Sequence, residues 1–112
     1  MGSDGSRELG KEAAMPTYVV LYTFTDAGAK NIKGTVQRAR ESRAENERRG
    51  FTVHGLYWTQ GQYDMVAVVE APDEQAMLAG LFNIAGAGNV RSETLRGFTE
   101  TEMAAVIQKM EG

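Results

Sequence analysis

Residues 51–70, FTVHGLYWTQGQYDMVAVVE, carry the pattern on which the fold turns. The first half is rich in β-branched and aromatic residues: Phe51, Thr52, Val53, Leu56, Tyr57, Trp58 and Thr59. The second half repeats that chemistry with Tyr63, Met65, Val66, Val68 and Val69. Such runs favour extended backbone. Gln60 and Gly61 lie between them, and glycine supplies the positive φ of a hairpin loop. With Trp58 opposite Tyr63, alternation puts His54, Leu56, Trp58, Tyr63, Met65, Ala67 and Val69 on one face. Val53, Gly55, Tyr57, Asp64, Val66, Val68 and Glu70 then take the other, and a three-residue loop would exchange the sides of the second strand. Both faces are largely apolar, the signature of a sheet covered on both sides.

Upstream, Tyr18–Thr25 (YVVLYTFT) is apolar on both faces and predicts a central strand. Thr25 or Asp26 can cap a following helix, expected from about Ala27 to Arg49 and ending at Gly50. Ile32, Val36 and Ala39 give that helix a thin apolar stripe. Downstream, Pro72 ends the hairpin and Asp73 caps a second helix, whose Met77, Leu78, Leu81, Phe82 and Ile84 form a wider stripe. Gly86 and Gly88 end it. Their position after a helix and before a strand is the wrong polarity for a phosphate loop. Residues 89–98 read as a weaker strand at a sheet edge or an inter-subunit position, with Arg91, Glu93 and Arg96 among few apolar residues. Thr99 and Glu102 have the spacing of a capping box, flanked by a Phe98/Met103 hydrophobic staple, and a last helix follows along Met103, Val106, Ile107 and Met110.

The order β-α-β-β-α-β plus a terminal helix is that of an α+β, ferredoxin-like fold, a four-stranded antiparallel sheet with both long helices on one face. The bare face is apolar as well, so a second sheet is expected to cover it in a face-to-face homodimer or a higher oligomer.

At 112 residues the chain suits one domain, and 42% hydrophobic residues make it globular rather than disordered. Residues 1–14 are small and polar, and are expected to be an expression leader or a disordered extension, leaving 15–112 as the folded unit. No apolar run approaches the roughly 20 residues that span a bilayer, so a cytoplasmic protein without membrane association is expected. Cysteine is absent and histidine occurs once, which excludes disulfides and argues against a metal site. No cofactor is expected, nor is a Ser-His-Asp triad. The net charge of −3 gives no general drive toward nucleic acid. Residues 30–49 are locally basic, with seven basic side chains against three acidic, but Arg43–Glu47 and Glu45–Arg49 have the i,i+4 spacing of a solvated helix face.

Three segments, YVVLYTFTDAGAKNIK, GLYWTQGQYDMVAVVEAPDEQAM and GNVRSETLRGFT, together resemble the GYD domain family of small bacterial proteins. The naming tripeptide is present as Gly61-Gln62-Tyr63-Asp64, with Gln62 inserted. The resemblance covers about Met15 to Glu102 and implies a ferredoxin-like fold of the dimeric α/β-barrel kind, with no established activity.

The candidate ligand-binding residues are His54, Trp58 and Tyr63 on one hairpin face; Tyr22 on the first strand is a fourth candidate for the same cavity, its side of the sheet unassigned. An aromatic box binds planar ligands, and an imidazole can move a proton, so His54 is the candidate catalytic residue. The competing reading makes Trp58 and Tyr63 cross-strand packing and His54 a hydrogen-bonded interface residue. Gly61 and Asp64 are expected to be structural, Asp64 by holding the turn. The leading expectation is a small oligomeric protein with a small-molecule pocket at or near a subunit interface. The alternatives are a cofactor-independent oxygenase or isomerase, and a structural or regulatory interaction module.

Overall fold

The computed structural model describes residues 15–111, so the expectation for residues 1–14 lies outside the described residues. Four strands, β1 (Thr17–Phe24), β2 (Thr52–Trp58), β3 (Met65–Glu70) and β4 (Val90–Gly97), form one antiparallel sheet in the order β2-β3-β1-β4. The helices are α1 (Asp26–Lys30), α2 (Thr35–Arg48), α3 (Glu74–Ala87) and α4 (Glu100–Glu111). This is the ferredoxin-like α+β arrangement. β1 is central, as its apolar faces required, and the charged β4 is an edge.

The expected first helix is two helices. A 3-10 turn over Ile32–Gly34 separates α1 from α2, because Asn31 and Gly34 hold the chain off the α path. The other helix ends follow the local chemistry. Asp73 accepts from the Ala76 N–H at 2.7 Å, and α3 ends on Gly88 at φ 83°, where a side chain would be strained. The capping box forms in both directions: the Thr99 N–H donates to Glu102 Oε1 (2.8 Å) and the Glu102 N–H to Thr99 Oγ1 (3.2 Å). Arg96 ties the base of α4 to the sheet. Its guanidinium lies 4.6 Å from the Phe98 ring centroid, 5.9 Å from that of Tyr18, and 4.0 Å from the Glu102 carboxylate.

The core lies on the helix side. Tyr18, Val20, Val53, Ala67 and Val69 supply the sheet's contribution, and Phe51, Ala71 and Met77 close over it. Met77 is the one buried residue of α3; Leu81 packs partly, while Leu78 and Phe82 stay exposed. The stripe read on this helix is therefore wider than the sheet beneath it. On the opposite face Val19, Leu21, Val66 and Val68 alternate with the core residues, joined by Tyr57 (62% exposed) and Leu95 (46%). A thickness of 19 Å matches one helix layer on one sheet layer, which leaves that second face without a protein cover among the described residues.

Candidate functional site

The sheet carries two chemically distinct surfaces, and the hairpin register decides which residue belongs to which. Trp58 pairs with Met65, not Tyr63, so the loop is longer than the two residues expected. Thr59 and Asp64 close it: the Thr59 N–H donates to Asp64 O (2.8 Å) and Thr59 Oγ1 to Tyr63 O (2.6 Å). Gly61 sits at the apex with φ 106° and open space around it, so it is there for its backbone and not for room.

Asp64 is the pin of this turn. Its N–H donates to Tyr22 O at 2.8 Å, and its Oδ2 accepts from the Phe24 N–H at 2.8 Å. The β1–β3 ladder ends at Tyr22–Met65, so the carboxylate takes the place of the next strand carbonyl. The hydrogen bonds of Asp64 all go to backbone groups, two from its main chain and one from Oδ2.

A β-bulge between Val53 and Gly55 moves His54 relative to Leu56 and Trp58. Val53, Leu56 and Trp58 face the helices, whereas the His54 Nε2 meets Glu70 Oε2 at 2.6 Å on the uncovered face. Tyr63 turns to the same face, where its hydroxyl donates to Glu93 Oε1 at 2.7 Å. That carboxylate raises the Tyr63 pKa, chiefly through the hydrogen bond. Arg43 Nη2 donates to Val53 O at 3.2 Å and fixes the bulged strand to α2.

Trp58 lies on the other side, its Nε1 donating to Thr35 Oγ1 of α2 at 3.1 Å. The four candidates thus divide into two pairs: His54 and Tyr63 on the open face, Trp58 and Tyr22 on the helix side.

Tyr22 borders a cleft of about 450 Å³ between α2, α3 and the sheet, and Trp58 touches its wall only through the bond to Thr35. Tyr22, Phe24, Leu56, Met65 and Val90 make an apolar floor; Gly80, Asn83, Ile84 and Ala87 of α3 form one wall. The α2 wall is Thr35, Arg38, Ala39, Ser42 and Asn46, a polar row at helical spacing. Burial drives the Tyr22 pKa up to about 12, so its hydroxyl stays neutral and keeps its proton to donate. At the rim, Glu45 accepts from Arg49 Nε (2.7 Å) and pairs with Arg48; these hydrogen bonds, Arg49's first, lower its pKa.

Arg38, Ser42, Asn46 and Asn83 were not singled out from the sequence. The row Thr35-Arg38-Ala39-Ser42-Asn46 was visible as a spacing, but a polar helical row reads as a solvated face until a sheet is found beneath it. Among the described residues no three His, Cys, Asp or Glu side chains converge on a possible metal position.

A two-layer ferredoxin-like sheet with a helix-side cleft and an uncovered apolar face is thus the class of protein this chain represents. More particularly, the chain belongs to the GYD domain family, whose family model matches residues 18–107. It is similar to a protein of Thermus thermophilus described as a glutamine synthetase and cystathionine beta-lyase binding protein, at 36% identity over 92 residues, 81% of this chain and 97% of that one. No solved structure matches it.

Proposed function

We propose that this protein is a small homo-oligomeric binding module that docks on metabolic enzymes and carries a small-molecule pocket in the cleft between α2 and α3. The observation that carries the reading is the likeness, over nearly the whole of its length, to a relative described by the two enzymes it binds. The folded unit is taken to be residues 15–112, acting in the cytoplasm; no helix among the described residues is long and apolar enough to cross a membrane.

Assembly is assigned to the uncovered sheet face, in the manner of dimeric α/β barrels. Val19, Leu21, Val66, Val68, Tyr57 and Leu95 supply its apolar area, and the His54–Glu70 and Tyr63–Glu93 pairs supply polar contacts at its margins. A second copy of the same sheet satisfies this surface, because a self-complementary patch closes with two-fold symmetry. Catalysis through His54 has less support. Its ring is engaged by Glu70, and it faces away from the cleft in which a substrate would sit.

Sedimentation of the purified full chain, alone and mixed with the glutamine synthetase and the cystathionine beta-lyase of its own organism, tests this. The expected result is an oligomer that co-sediments with at least one enzyme. Failure to associate with either, at concentrations where the oligomer is intact, refutes the docking role.

A further inference from the structure

We propose that the cleft binds a small monocarboxylate with an apolar body, the carboxylate being held by Arg38. The inference rests on the pocket reading above and deepens it by naming the ligand class.

The first observation is an inversion of α2. A helix on a sheet ordinarily turns its apolar residues inward. Here Val36 (45% exposed) and the preceding Ile32 (41%) face solvent, while Thr35, Arg38, Ser42 and Asn46, with Ala39 alone of the apolar stripe, face an apolar floor across the cleft. Facing polar side chains toward Tyr22, Leu56 and Met65 is unfavourable unless something polar lies between.

The second observation is the guanidinium itself. Arg38 lines the cleft, and its Nη1 donates to Asn31 O at 2.8 Å just before α2. Nη2 is shut off from solvent and has no hydrogen-bond partner, and no carboxylate among the described residues lies within ion-pair distance of Arg38. A shielded guanidinium nitrogen without an acceptor is costly. A small swing of the fork places it on an entering carboxylate, for which its geometry is suited.

Charge restricts the ligand further. Arg38 and Arg49 line the cleft together with Glu41 and Glu45, two cations against two carboxylates. Glu45 is engaged by Arg48 and Arg49, and Glu41 accepts from Gln37 Nε2 at 3.0 Å. These acids repel a polyphosphate and leave Arg38 to take a single anionic group. Tyr22 and Asn83 line the same space as hydrogen-bonding groups, and the volume falls in the range of small-molecule sites.

Trp58 makes the test direct. It is the only tryptophan, and its indole N–H is bonded to Thr35 of the cleft wall, so its fluorescence reports on occupancy. Full-length wild type is titrated with matched aryl- and alkyl-carboxylic acids, their primary amides, and inorganic pyrophosphate, by fluorescence and calorimetry. Expected is one acid bound per chain, the amide weaker by at least about ten-fold, and pyrophosphate not bound. Arg38→Gln should lose at least about ten-fold for the acid and little for the amide. Arg38→Lys, which keeps the charge without the fork, should fall between, and it serves if the Gln variant fails to fold. Ile84→Trp, which fills the cleft, should abolish binding. Equal affinity for acid and amide, or an acid affinity indifferent to Arg38→Gln, overturns the carboxylate proposal while sensitivity to Ile84→Trp keeps the pocket. Indifference to Ile84→Trp, or no binding by any acid or amide, overturns both.

Discussion

Replacing Asp64 by Ala should destabilise the protein by about 2 kcal/mol without removing any core side chain. The magnitude follows from the bond that is lost. The Asp64 carboxylate accepts from the half-buried Phe24 N–H at 2.8 Å, beyond the last ladder pair, so no strand carbonyl is on hand to replace it. Hydrogen bonds to charged groups contribute roughly 1.5–3 kcal/mol, and the Phe24 amide is left without an acceptor. For a unit of this size that corresponds to a fall in Tm of about 8–16 °C. Urea unfolding at fixed protein concentration is the assay, with an unchanged m-value expected, since the surface exposed on unfolding is the same. Asp64→Asn keeps an acceptor oxygen and should lose less than half as much. A midpoint for Asp64→Ala within about 0.5 kcal/mol of wild type refutes the role assigned to the motif's aspartate. So does equal loss in the Ala and Asn variants.

Leu95→Glu places an unpaired charge on the uncovered face and should weaken self-association by at least about a hundred-fold, read by sedimentation, while leaving the monomer's circular dichroism intact. A wild type already monomeric at high concentration would sink the assembly reading outright. Burial raises the pKa of Tyr22 from about 10 to about 12, so the unfolded chain releases that proton first as pH rises. Its contribution is therefore whole below about pH 10 and is lost as pH climbs toward 12, a fall of about 2–3 kcal/mol that Tyr22→Phe should abolish in alkaline unfolding curves. Thr99→Ala removes the acceptor for the Glu102 N–H and should cost the terminal helix about 1 kcal/mol, seen as faster amide exchange in residues 100–104 with the sheet unchanged.

Much of the fold was legible because its determinants are local. The period-2 runs, Asp73, Gly88 and the Thr99/Glu102 box each act over a few residues, and each appears where its chemistry places it. Register was less legible. The hairpin loop and the bulge at His54 insert residues into a two-residue period, and one inserted residue exchanges faces. The second strand kept its sides only because its pairing moved by an even number of positions, from Tyr63 to Met65 opposite Trp58. His54 and Tyr63 consequently lie across the sheet from Trp58 and Tyr22, a separation that depends on long-range pairing. The cleft was hidden for a related reason. Nothing within α2 distinguishes a polar row facing water from one facing a sheet, and Tyr22 was read toward the hairpin's cavity with its side of the sheet unassigned.

The inserted Gln62 follows from the same geometry and yields a last prediction. Both ends of the hairpin loop are fixed, by the Thr59–Asp64 backbone bond and by the Asp64 bonds to β1. Between them Gly61 turns in open space at positive φ, and Gln60, Gly61 and Gln62 are exposed. An added or removed residue at such an apex changes only the closure entropy; going from four loop residues to three alters it by about 0.3 kcal/mol. Tyr63 precedes the pinned Asp64 directly, so it keeps its side of the sheet and its bond to Glu93. Deleting Gln62 should therefore cost less than about 1 kcal/mol in urea unfolding and leave Trp58 emission unchanged. A deletion as costly as Asp64→Ala would show that the turn apex, and not its anchored base, sets the register of the two strands.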